Sequence, residues 1–184
     1  MTEISRCKWA KNKWLDYHDN HWGTPVHDDQ VLFENLLLVT FQSGLSWQTM
    51  INKKENFKKA YDYFQIEKII HYEKEKIEEL MQNRNIIRNR KKIEASINNT
   101  IIFKQIQEEH GTFSIYLWSF TDNKVLIDTP ENYQKTSPLS DTIALDLKVK
   151  GMKYIGSITI YSFIEQMGII NNHETGCYKH DIRA

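Results

Sequence analysis

The stretch Ser140–Gly168, SDTIALDLKVKGMKYIGSITIYSFIEQMG, decides how the chain folds. Ile143, Leu145 and Leu147 ride on a helix that Ser140 can cap and that stops at Gly151. Met152-Lys153-Tyr154-Ile155 then forms a very short hairpin before Gly156, and Ser157 can cap a second helix bearing Ile158, Ile160, Tyr161 and Phe163, which ends at Gly168. The pattern is helix, hairpin, helix. Two readings of it stand side by side. One is a tight turn between packed helices, pinned by the apolar Ile155. The other is an anion grip, because glycines let a second backbone come close and the first N–H groups of the second helix point at a group such as a phosphate.

The same 3.6-residue rhythm runs outward from there. Val31, Leu32, Asn35, Leu36 and Val39 follow it behind the candidate caps Asp28 and Asp29, and Phe57, Ala60, Tyr61 and Phe64 repeat it. Ile77, Leu80 and Met81 predict a further helix, residues 93–106 a long one, and Tyr116–Phe120 a short aromatic one. Val125-Leu126-Ile127 is the single plausible strand, short and isolated. An all-α helical bundle is the economical reading. With 184 residues, 40% hydrophobic, 7 Gly and 3 Pro, the chain suits a single domain over 1–184, or at most two small lobes sharing a core. No repeat or Gly/Ser/Pro-rich linker divides it.

Mean hydropathy is −0.59, no apolar run approaches the ~20 residues of a membrane span, and the charged start MTEISRCKWAKNKW has no signal-peptide character. A cytoplasmic protein without membrane contact is expected. Lys+Arg and Asp+Glu both total 24, so a nucleic-acid role requires cations gathered on one face. Arg84, Arg88, Arg90, Lys91 and Lys92 do bunch, as do Lys148, Lys150 and Lys153, although solvated helix faces produce the same runs.

Two constellations carry chemistry. Cys7 and His18 enclose ten residues, and His173 and Cys177 enclose three at i, i+4. Together they offer the two thiolates and two imidazoles of a closed, structural zinc site that would clasp the two ends of the chain; chance proximity of a few Cys and His is the competing reading. The other is aromatic: Trp9, Trp14, Tyr17, Trp22, Phe41 and Trp47 crowd the first 47 residues, which hold four of the five tryptophans. Such density makes either ordinary core or a slot for a planar ligand, and the polar groups of YHDNHWG and Gln42-Ser43-Gly44 embedded in it suit a pocket.

RCKWA, YHDNHWGTP, LFE followed by QSGLSWQTM, IIRNRKKIEA, LWSF and GMKYIGSITIYSFIEQMGIINNHETGC, in this order over roughly residues 6–178, resemble the 3-methyladenine DNA glycosylase I family. The resemblance implies an all-helical enzyme of the helix-hairpin-helix group that excises 3-methyladenine from alkylated double-stranded DNA, acting as a monomer. It implies structural zinc on Cys7, His18, His173 and Cys177, and a base pocket of Trp9, Tyr17, Trp22 and Trp47. It further implies a DNA grip at Lys153, Ile155, Gly156 and Ser157, and a loop, Gly44-Leu45, that fills the space left by a flipped nucleotide. Ser157 falls where bifunctional relatives carry a lysine nucleophile, so hydrolysis by water is implied, leaving the abasic strand uncut. The chain departs from the pattern at Val39, in the slot of a glutamate that accepts hydrogen bonds from the adenine amino group, at Phe41 in place of glutamine, and at Asn172 in place of aspartate. The valine admits an alternative reading, a retuned or non-catalytic paralogue that binds DNA or a nucleobase.

Overall fold

A computed structural model describes residues 4–128 and 135–180, and among these the architecture is helical. In chain order the helices are α1 (Leu15–Asn20), α2 (Asp29–Gln42), α3 (Trp47–Ala60), α4 (Ile66–Ile69), α5 (Lys74–Gln82), α6 (Arg90–His110), α7 (Phe113–Ser119), α8 (Pro138–Val149) and α9 (Ser157–Gln166). The expected lone strand has a partner: β1 (Leu126–Ile127) pairs in parallel with β2 (Ile170–Asn171), two residues each. So short a ladder leaves almost no alternation to read in the sequence. None of the described helices is long and apolar enough to cross a membrane.

Helix α2 runs through the centre. Asp28 caps it by accepting the Val31 N–H at 2.9 Å, and eight of the ten positions from Leu32 to Phe41 are buried, so it is apolar nearly all round. Asp29 ties its start to the next layer, accepting from Gln107 Nε2 at 2.6 Å and from the Phe113 and Ser114 amides at 2.8 Å. Those amides are orphaned donors at the start of α7, and a carboxylate is the favourable acceptor there. Helix α3 ends at Ala60 rather than continuing to Phe64. Asp62, Tyr63 and Phe64 take left-handed φ values of 48°, 58° and 56°, which turns the chain and returns Phe64 to the core.

The α8–α9 pair forms as expected, with shifted caps. Ser137 caps α8, in a reciprocal capping box with Ser140, and Pro138 takes the first helical position. Ser140 is thus inside the helix. Gly151 closes α8 with paired turns, its N–H donating to Lys148 O at 2.9 Å and that of Met152 to Leu147 O at 2.9 Å. The N-cap of α9 is Gly156, which has no side chain to cap with, and Ser157 is its first residue. Leu145 and Ile158 point to solvent, 65% and 61% exposed, whereas Ile155 is buried and pins the turn. The turn is also held from α6: Asn99 accepts from Lys153 N and donates to Lys153 O, both at 2.8 Å, and Asn98 Nδ2 donates to Gly151 O at 3.0 Å.

Lys92 does not belong to a basic surface. Its ammonium turns inward and donates to Phe41 O at 2.9 Å and Ser43 O at 2.8 Å, satisfying carbonyls at the C-terminal end of α2 with a charge that complements the helix dipole. Arg90 is likewise occupied, bonded to Glu78 at 2.8 Å. Lys92→Met should leave two carbonyls without a donor and lower the unfolding free energy by about 1–3 kcal/mol, read from urea denaturation midpoints, whereas Lys91→Met should change it by less than about 0.5 kcal/mol.

Candidate functional site

The four Cys and His residues singled out in the sequence converge. Cys7 Sγ lies 3.5 Å from His173 Nδ1, Cys177 Sγ 3.5 Å from His18 Nε2 and 3.6 Å from His173 Nδ1, and all four ligand atoms fall within 4.8 Å of one another. Tetrahedral bonds of about 2.3 Å to sulfur and 2.0–2.1 Å to nitrogen place S and N about 3.5 Å apart, so the observed spacings fit a zinc-sized centre. The surroundings are prepared for it. His18 Nδ1 meets Asp19 at 2.8 Å, and Asp19 is gripped by the Arg6 guanidinium at 2.8–3.0 Å, which holds its carboxyl well below the usual range. An ionised acceptor there keeps the proton on Nδ1 and leaves the Nε2 lone pair facing the sulfurs. The Glu174 amide donates to Cys7 Sγ at 3.2 Å. Burial pushes the Cys7 thiol up to about 12 and the His173 imidazole down to about 3, environments in which a divalent cation, and little else, would make thiolate the stable form. Gly23, with φ at +68°, lets the chain pass so close that a Cβ there would sit 2.8 Å from His173 Nε2.

This cluster is one face of a wall whose other face is aromatic. On α1, His18 points to the sulfurs while Tyr17 points away. Trp22 packs edge-on against His173 at 4.5 Å and against Trp9 at 5.0 Å, and Trp9 meets Trp47 at 5.6 Å. Tyr17 and Trp47 lie nearly parallel, 16° apart, with centroids at 5.5 Å. Two cavities, of about 510 and 720 Å³, meet at Tyr17, Gln42, Trp47 and Gln166. Trp9, Tyr17, Trp22 and Trp47 all line the smaller one, and the buried Val39 lines the larger one from α2.

Helix α9 supplies the far wall, which the sequence reading did not assign. Ser162, Glu165 and Gln166 share one face at i, i+3, i+4, a spacing visible in the sequence once α9 is known to back onto the rings. Gln166 accepts from the Tyr17 hydroxyl at 3.4 Å and donates to Ser162 at 3.0 Å, and Gln42 of α2 donates to Ser162 at 3.3 Å. Glu165 accepts from Asn172 Nδ2 at 2.8 Å, and burial pushes its carboxyl up to about 7. Glu34, one turn and more before Val39 on α2, is directed elsewhere, toward Lys54 at 3.9 Å.

Beside the slot, residues 43–46 make a tight turn in which Leu45 N donates to Gln42 O at 2.7 Å and Gly44 adopts φ +83°, a conformation suited to glycine. Leu45 is 39% exposed at its tip, and Lys92 anchors its base. On the α8–α9 turn, Lys153 is exposed and Gly156 half-buried, and the Ser157 hydroxyl bonds Ser140 at 2.9 Å and Asp141. Ile155, buried, offers the surface its backbone only.

The raised carboxyl has a consequence for stability. The folded chain holds the Glu165 proton more tightly than the unfolded chain, whose value is near 4.5, so this group makes stability fall as pH rises from about 4.5 through 7, after which the loss is complete. Between pH 5 and 8 the wild type should therefore lose about 2 kcal/mol more than Glu165→Gln, measured by paired denaturant melts.

Comparison with known proteins gives the family. Residues 7–180 match the family model described as methyladenine glycosylase. The chain is 34% identical over 179 residues to DNA-3-methyladenine glycosylase 1 of Escherichia coli (strain K12), covering 95% of this chain and 96% of that one. It is 34% identical over 178 residues to DNA-3-methyladenine glycosylase of Haemophilus influenzae, covering 94% and 96%. A solved 3-methyladenine DNA glycosylase I variant in complex with 3-methyladenine superimposes with a TM-score of 0.92 at 30% identity, covering 98% of this chain and 100% of the other. The chain belongs to the methyladenine glycosylase family.

Proposed function

We propose that this protein hydrolyses the N-glycosidic bond of 3-methyladenine, or a closely related alkylated base, in double-stranded DNA, as a base-excision repair glycosylase. The observation that carries the reading is the slot of Trp9, Tyr17, Trp22 and Trp47 opening beside an exposed leucine on an anchored turn. A base alkylated on a ring nitrogen bears positive charge while it is joined to the sugar. Electron-rich ring faces attract that charge, and departure as a neutral base relieves it, so the leaving group needs little acid assistance. Water adds to the sugar carbon as the bond to the base breaks, a proton is released, and the products are free base and an abasic strand. The Ser157 hydroxyl is no amine, so no Schiff base forms and the strand stays uncut.

Leu45, on the Gly44 turn, occupies the gap in the duplex when the nucleotide flips out. The α8–α9 pair acts as the helix-hairpin-helix grip. The first amides of α9, uncapped by any side chain, hold a backbone phosphate, with Lys153 alongside and Ile155 and Gly156 shaping the turn. Zinc held by Cys7, His18, His173 and Cys177 would be structural, since four protein ligands leave no open position, and it would fix the wall that carries Trp9, Tyr17 and Trp22. The protein acts as a monomer. Val39 supplies no hydrogen-bond acceptor, which is the one feature favouring a binding-only paralogue; both of the named relatives, which span nearly the whole chain, are glycosylases.

Chromatography of bases released from methylated duplex DNA tests this directly. The wild type should release 3-methyladenine and leave the strand unbroken, Trp47→Ala should slow release by about a hundredfold, and duplex binding without release would establish the binding-only reading. Protein purified without added metal should carry about one equivalent of zinc, and Cys177→Ala should lose it together with several degrees of melting temperature; less than about half an equivalent in the wild type counts against the clasp.

A further inference from the structure

Among the described residues, one acidic side chain lines the smaller aromatic cavity, and it is Glu165. Its Oε1 is held by the neutral Asn172 amide at 2.8 Å, and among the described residues no cation forms an ion pair with it. Lys135, exposed at the cavity mouth, is also beyond ion-pair distance. A largely buried carboxylate normally has a charged partner or several donors, because an isolated charge away from water is costly. Here it has one donor. Its charge nonetheless reaches the rings, since the Tyr17 hydroxyl is raised first by burial and then by Glu165. In the adjoining larger cavity, which shares Tyr17, Gln42, Trp47 and Gln166 with this one, α2 presents the methyl groups of Val39 where the family pattern puts a glutamate. The pattern's aspartate at Asn172 has likewise become an amide, and the carboxylate of that hydrogen-bonded pair stands on its cavity side.

We propose that Glu165 is the specificity-determining carboxylate of this enzyme, taking the positive charge and amino hydrogen bond of the alkylated adenine from the α9 wall in place of the absent α2 glutamate. The missing counter-ion is then the substrate. The inference rests on the glycosylase reading for its ligand class, and its test is independent of excision.

The probes are 3,9-dimethyladeninium, a permanent cation with a methyl group in place of the sugar, and neutral 9-methyladenine, each titrated against tryptophan fluorescence at fixed pH. Wild type should bind the cation at least about tenfold more tightly than the neutral base. Glu165→Gln keeps the shape and the bond from Asn172 while removing the charge, and should bring the two affinities within about twofold. Glu165→Asp, which keeps the charge, should retain the preference and serves as the check if the glutamine variant is unstable. Val39→Glu combined with Glu165→Gln, which returns a carboxylate to α2, should restore it. An undiminished cation preference in Glu165→Gln, or none in wild type, overturns the proposal. Release of 3-methyladenine from methylated duplex, measured in parallel, judges the glycosylase reading separately.

Discussion

Everything that defines the site hangs on one convergence, residues 166 positions apart in sequence brought within 3.5 Å at Cys7 and His173. Closing so long a loop carries an entropic cost that a few side-chain contacts repay poorly, and the ends are reinforced by Tyr178 N donating to Ser5 O at 2.9 Å and Lys8 N donating to Glu174 at 3.0 Å. The return is precision. Trp9, Tyr17 and Trp22 are placed by short loops and a six-residue helix, elements too small to hold large rings steady on their own. Backed against the Cys and His side chains, they gain a fixed floor.

Several polar groups inside the fold answer backbone groups of another element. Lys92 answers two carbonyls, Asp29 answers two amides and a side chain, and Asn99 answers both backbone groups of Lys153. Each is a long-range tie between helices whose identity as a tie is invisible until the helices are packed. Glu165 has a single donor, and it stands on the wall of the slot. Folds tolerate such a deficit where a ligand makes it good.

Much of this was legible in the residues. Asp28 and the apolar rhythm of α2, the long α6 and the α8–α9 pair declared themselves through caps and periodicity, and the Cys/His spacing pointed to the cluster. The failures have local causes. Ser137 and Ser140 both suit a cap, and only the proline between them favours the earlier start. Leu145 and Ile158 fit a helical stripe by type and lie outside it by angle. Lys92 looked like its basic neighbours because a charged residue's direction depends on which carbonyls lie within reach, a property of tertiary packing. The α9 wall stayed hidden for the same reason, since its polar face reads as solvated until the rings are set against it.

Tyr17 and Trp47 stack on each other at 5.5 Å, whereas a third ring between them needs them about 7 Å apart. The gap between these two rings is therefore closed at rest, and opening it forfeits a contact before a third ring gains one. Entry between this pair would thus carry a threshold set by the protein's own resting contact, while the cavity of about 510 Å³ alongside stays open.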